Sequence, residues 1–178
     1  MAQWAIIDNS ALRNLYLLGQ VPMLHLIYDR VLIPKAVEKE FLSISDNSQK
    51  TERFDFLMNF YQDNFSWFMP CNDYDQSIMA ILQQIGNMGA GESEVISQNK
   101  YLGDIHHVII DERIARSHAK QQSQSVCGVL SILARLDLQF SSINYYQAVQ
   151  FLQQNYQARY SPKIITEAYQ KIKNELKL

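Results

Sequence analysis

Five short, largely apolar runs, each followed by a helical pattern, constrain this chain more than any other feature: Trp4–Ile7, Arg30–Ile33, Phe65–Met69, His107–Ile110 and Ser125–Cys127. Runs of three to five residues are too short for buried helices, and near-continuous apolarity is what a strand covered on both faces requires. Alternation of such strands with helices of ten or so residues implies right-handed crossovers and a parallel sheet. The expected fold is therefore an α/β three-layer sandwich with a central parallel sheet of about four to five strands. A length of 178 residues suits one domain, 1–178, rather than two.

The helices follow from spacing. Leu12, Leu15 and Tyr16 stand on one helical face after Asp8, with Asn9 or Ser10 as its cap, and Gly19 ends it. A second helix is expected from about Val21 to Tyr28. Pro34 suits the first turn of a third, where its missing N–H costs nothing. Positions 43–61 loosen into a polar stretch and then an aromatic-rich one, read as a variable insertion. Helices are further expected over about 73–85, 92–101 and 129–136, with another after Asp111. Residues 141–178 carry two terminal amphipathic helices, near Tyr145–Tyr156 and Pro162–Leu176.

Four acids stand at boundaries of this pattern. Asp8 and Asp111 end apolar strands, the carboxyl-end positions where open parallel sheets bind ligands. Glu40 shares a helix side with Ala36 and Val37, and Glu92 lies three and four residues before Val95 and Ile96. Glu94 aligns instead with Ser97 and Gln98, which puts it on the wet face. Any one of these acids could simply cap a helix. Several like charges buried together are costly without a cation, and a joint site is the better account. Oxygen donors of this kind suit Mg2+ or Mn2+, which can activate a water and offset charge on a phosphate, the chemistry of a nuclease. Glu112 is a further candidate ligand. Ser10, Arg113 and Arg116 are candidate substrate contacts, the two arginines being helical neighbours able to hold a phosphate or to form plain ion pairs.

Other chemistries fail on particular residues. Gly86, Gly89 and Gly91 are not spaced as a dinucleotide-binding loop, there is no P-loop, and no serine stands in a nucleophile elbow. Cys71 and Cys127 are far apart, without metal spacing, and are expected to be reduced. His106 and His107 point to opposite faces of a strand and read as an edge or surface pair. A net charge of −2 gives no global basic field, so nucleic-acid contact must be local or cation-mediated. No apolar run approaches the ~20 residues of a membrane span, and the start is not that of a signal peptide, so a cytoplasmic location without membrane contact is expected.

Ile-Ile-Asp-Asn-Ser-Ala-Leu, Ile-Pro-Lys-Ala-Val-Glu-Lys-Glu-Phe, Gly-Ala-Gly-Glu-Ser-Glu-Val-Ile and Ile-Ile-Asp-Glu-Arg-Ile-Ala-Arg occur in that order. Together they resemble the PIN-domain superfamily, in particular its DUF3368 branch related to VapC toxins, over most of the chain. The resemblance implies a PIN-like, Rossmann-like fold and a metal-dependent ribonuclease. Asp8, Glu40, Glu92 and Asp111 fall on the family's catalytic and metal-binding acids, with Mg2+ or Mn2+ as cofactor. Its implied partners are an RNA substrate, a cognate antitoxin and a second copy in a homodimer. Three positions depart from the pattern: Asn9 stands where threonine is usual, Glu112 where a second aspartate is common, and Asp137 where glycine is frequent. The alternative is a catalytically silent PIN-like module that binds RNA or a partner protein.

Overall fold

The computed structural model describes residues 3–64, 66–71, 76–86, 88–102, 107–156 and 158–178. Strands β1 (Trp4–Ile7), β2 (Arg30–Pro34), β3 (Phe68–Cys71), β4 (His107–Ile109) and β5 (Val126–Cys127) form one sheet in the order β3-β2-β1-β4-β5. Every pairing in it is parallel. Among the described residues nine α-helices surround this sheet: α1 (Asn9–Leu17), α2 (Lys35–Leu42), α3 (Asn47–Asn64), α4 (Gln76–Gly86), α5 (Ala90–Leu102), α6 (Arg113–Gln121), α7 (Val129–Phe140), α8 (Tyr145–Tyr156) and α9 (Pro162–Glu175). The result is the α/β sandwich that the alternation requires.

Ala5, Ile6 and Ile7 of β1 are all fully buried, as are Val108 and Ile109 of β4, because both faces of the sheet are covered. β1 is the centre of the sheet. Moving to β2 and β3 the chain runs outward one way, and moving to β4 and β5 it runs the other, so strand order reverses between β1 and β4. Register pairs Ile7 with Ile109, and the Asp8 N–H donates to the Ile109 carbonyl at 2.9 Å. Both strand-end acids therefore leave the sheet at this switch point.

Four expectations need correction. Residues 47–64 are helix, although 43–61 reads as polar and irregular: Arg53, Leu57 and Phe60 form its buried stripe, and an arginine in that stripe breaks the apolar pattern. Arg53 is tolerated there because its Nη1 donates to the Phe41 carbonyl at 2.9 Å and its guanidinium lies over the Phe41 ring. The third strand runs through Pro70 to Cys71 instead of ending before it; β3 is an edge, where a missing N–H costs no ladder bond. Phe65, its expected start, and 73–75, the expected start of the following helix, lie outside the described residues. The helix expected from Val21 is a short 3-10 segment, Pro22–Leu26. His107 is no edge residue, since β4 lies between β1 and β5; its Nδ1 pairs with the Tyr28 hydroxyl at 3.2 Å. His106 lies outside the described residues.

Candidate active site

Asp8 is the residue on which the site is built. It caps α1, accepting from the Ala11 N–H at 2.7 Å and from the Ser10 hydroxyl at 2.9 Å, and it is 1% exposed. Those two donors orient the carboxylate without neutralising it. Burial above all, then the charge of Asp111 and less strongly that of Glu92, push its pKa up to about 7, while the Ala11 and Ser10 bonds pull it down. A carboxyl group so placed binds either a proton or a cation.

A cleft of about 290 Å³ opens beside it, lined by Asp8, Asn9, Ser10, Glu40, Gly89 and Glu92. Three acids from three separate elements thus share one cleft. Glu40 reaches it from α2, whose Val37 and Phe41 are fully buried and fix the helix. Its Oε1 accepts from the Gly91 N–H at 2.8 Å. Glu92 comes from the first turn of α5 and folds back to accept from the Gly89 N–H at 3.1 Å, the glutamate half of a capping box. Burial raises the Glu92 pKa most, the Gly89 bond lowers it, and Glu112 and Glu40 raise it further. Asn9 Oδ1 is buried and accepts from no described residue.

Asp111 stands next to this cleft and not in its lining. It is held by three donors: the Val129 N–H at 2.8 Å to Oδ1, the Tyr160 hydroxyl at 2.6 Å and the Asn14 amide at 3.3 Å to Oδ2. Val129 opens α7, so the carboxylate also sits at a helix N-terminus, where negative charge is favoured. Tyr160 has its own pKa raised by burial and then by the Asp111 charge, which keeps its hydroxyl protonated as a donor.

A family model of DUF3368, a PIN domain, matches residues 4–174. The chain belongs to the PIN-domain family. PIN domains are generally nucleases and usually use divalent metal ions. Among curated proteins no match is found.

The donors present fit the chemistry of the family's cation. Asp8, Glu40 and Glu92 all carry oxygen donors, Asn9 adds an amide oxygen with no partner among the described residues, and none of the ion pairs among the described residues engages these acids or Asp111. Among the described residues no three His, Cys, Asp or Glu side chains stand grouped as a ready ligand set; Glu40 and Glu92 each accept from a backbone N–H at the start of α5.

The remaining candidates divide by position. Ser10 holds Asp8. Glu112 is exposed and caps α6, accepting from the N–H groups of Ile114 and Ala115, although its charge is felt at Glu92. Arg116 is half-buried, with its guanidinium against Gly128 beside the Asp111 carboxylate, whereas Arg113 is exposed. Glu94 corrects the wet-face expectation: it is 6% exposed, and its carboxylate accepts from the Ala36 N–H at 2.7 Å in the first turn of α2. The helix α5 packs on α2, α4, α6 and the sheet together, so Ser93, Ser97 and Gln98 are buried as well. Asp137 accepts from the Tyr145 N–H where α8 begins.

Two residues of the site escape sequence reasoning. Asn14 is a polar side chain three residues from Ala11 on the buried face of α1, which is a legible signal. Tyr160 lies in the connection between α8 and α9 and carries no local signal at all.

Proposed function

We propose that this PIN domain is a metal-dependent ribonuclease that hydrolyses RNA phosphodiester bonds, with Asp8, Glu40, Glu92 and Asp111 as its acids. The observation that carries this reading is the cleft at the β1–β4 switch point, lined by three carboxylates from the α1 N-cap, α2 and α5, none of which has a basic side chain paired to it among the described residues. Mg2+ or Mn2+ bound there would supply a Lewis acid and an activated water.

The chain's own residues do the rest. Ala11 N–H and Ser10 fix the Asp8 carboxylate, and the buried core beneath α2 fixes the base of Glu40. Tyr160, Asn14 and Val129 fix Asp111, so its charge acts on Asp8 from a set position and disfavours a second bare anion there. Arg116, beside Asp111, is a candidate cation for a substrate phosphate. The likeness to VapC proteins supports a toxin of a toxin–antitoxin pair, with an antitoxin protein as partner.

The test is cleavage of an RNA pool by purified protein titrated with Mn2+, alongside Glu92→Gln and Glu40→Gln. Both variants should lose metal-dependent cleavage by about 100-fold or more, as expected where a group binds the activating ion. Cleavage at the original rate in both would overturn the assignment. A protein that binds RNA without taking up Mn2+ or cleaving would be the silent module instead.

A further inference from the structure

We propose that Gly91 is a positioning residue for Glu40, the absent side chain being the space in which the Glu40 carboxylate lies. This rests on the reading that Glu40 helps hold a cation. Gly91 occupies the first turn of α5 with no need for left-handed backbone; of the described glycines only Gly19 has a positive φ. Helix propensity alone would favour alanine at such a position. What an alanine would meet explains the glycine. A Cβ on Gly91 would lie 2.7 Å from Glu40 Oε2, closer than real Cβ contacts come, and 3.0 Å from Cδ and 3.1 Å from Oε1, tight contacts that the carboxylate would have to relieve by shifting.

The neighbouring glycine sharpens the assignment. A Cβ on Gly89 would lie 3.7 Å from Glu40 Oε1 and 3.8 Å from Glu92 Oε2, ordinary contact distances. Only Gly91 is filled by the acid, and its N–H holds that acid at 2.8 Å. The clash falls on the far end of a flexible side chain, so an added methyl would displace the carboxylate and leave the helix standing. The α2 backbone cannot follow, because Val37 and Phe41 on either side of Glu40 are locked in the core. Gly91 thus fixes where Glu40 presents its charge, without touching a cation or a substrate itself.

Four proteins test this: wild type, Gly91→Ala, Glu40→Ala and the double variant, compared by calorimetric Mn2+ titration and by thermal unfolding in EDTA. Gly91→Ala should stay folded and lose Mn2+ affinity by roughly 10- to 100-fold, the range for loss of a ligand's orienting partner. In the Glu40→Ala background the same change should cost no further affinity and should raise the melting temperature more than it does in wild type. If Gly91→Ala does not fold, the double variant decides, since a folded double traces the clash to Glu40 and an unfolded one overturns the proposal. Unchanged affinity in Gly91→Ala beside a loss in Glu40→Ala also overturns it, and leaves the cation site standing. No Mn2+ uptake by wild type, or full uptake by Glu40→Ala, removes the cation reading and the proposal with it.

Discussion

Replacing Asp8 with asparagine should make the metal-free protein more stable at neutral pH while removing its cation affinity. Asp8 has a folded-state pKa raised from 3.8 to about 7, chiefly by burial, then by the charges of Asp111 and Glu92. A raised carboxyl pKa means that the folded state holds the proton more tightly than the unfolded state does. Its stabilising contribution is therefore complete below 3.8 and is lost as pH climbs through about 7. A shift of about 3 pH units at ~1.4 kcal/mol each gives a penalty of about 4 kcal/mol once the group is fully ionised. Roughly 2 kcal/mol of this has set in by pH 5, and the remainder develops between about pH 5 and pH 8. Asparagine removes the charge and keeps an oxygen for the Ala11 N–H. Urea unfolding in EDTA at pH 5 and pH 8 measures the effect: wild type should lose about 2 to 3 kcal/mol relative to Asp8→Asn across that interval. Saturating Mn2+ should then restore wild type, by about 2.7 kcal/mol at a hundred times Kd, and leave the variant unmoved. Parallel pH dependences for the two proteins in EDTA would refute the reasoning, since Asp8 would then carry no uncompensated buried charge.

Three further outcomes separate groups that serve the site from groups that serve the fold. Glu94→Ala should cost about 1 to 2 kcal/mol in urea unfolding, by uncapping the Ala36 N–H, with Mn2+ affinity retained by calorimetry. Tyr160→Phe keeps the ring and removes one donor to Asp111; a loss of about 1.5 to 3 kcal/mol is expected for a hydrogen bond to a charged group, read by thermal unfolding. Glu112→Ala should lower stability by about 1 kcal/mol as a lost cap and leave metal-dependent cleavage of an RNA pool within a few-fold of wild type.

The alternation of short apolar runs with helical spacing determined the strand–helix order, because burial on both faces of a strand and one face of a helix leaves a periodic trace in the chain itself. It also determined which acids stand at strand and helix ends, since a boundary is a local event. Where the local pattern failed, a neighbour was responsible. Arg53 occupies a buried stripe because the Phe41 carbonyl and ring receive it, so α3 does not look amphipathic on its own. Glu94 aligns with polar residues and is buried nonetheless, because α5 is enclosed on several sides and the acid meets the start of α2.

Only the tertiary structure decided how Glu92 and Asp111 relate to the other acids. Strand order puts β4 against β1, and that pairing brings Asp111 within electrostatic reach of Asp8 across about a hundred residues of chain. The same packing swings Tyr160, from the connection between the last two helices, onto Asp111. It also lays the Glu40 carboxylate where Gly91 has no side chain. Spacing along the chain reports which face a residue shares with its near neighbours. It carries no record of which distant backbone will arrive at that face, and the chemistry of this cleft depends on that arrival.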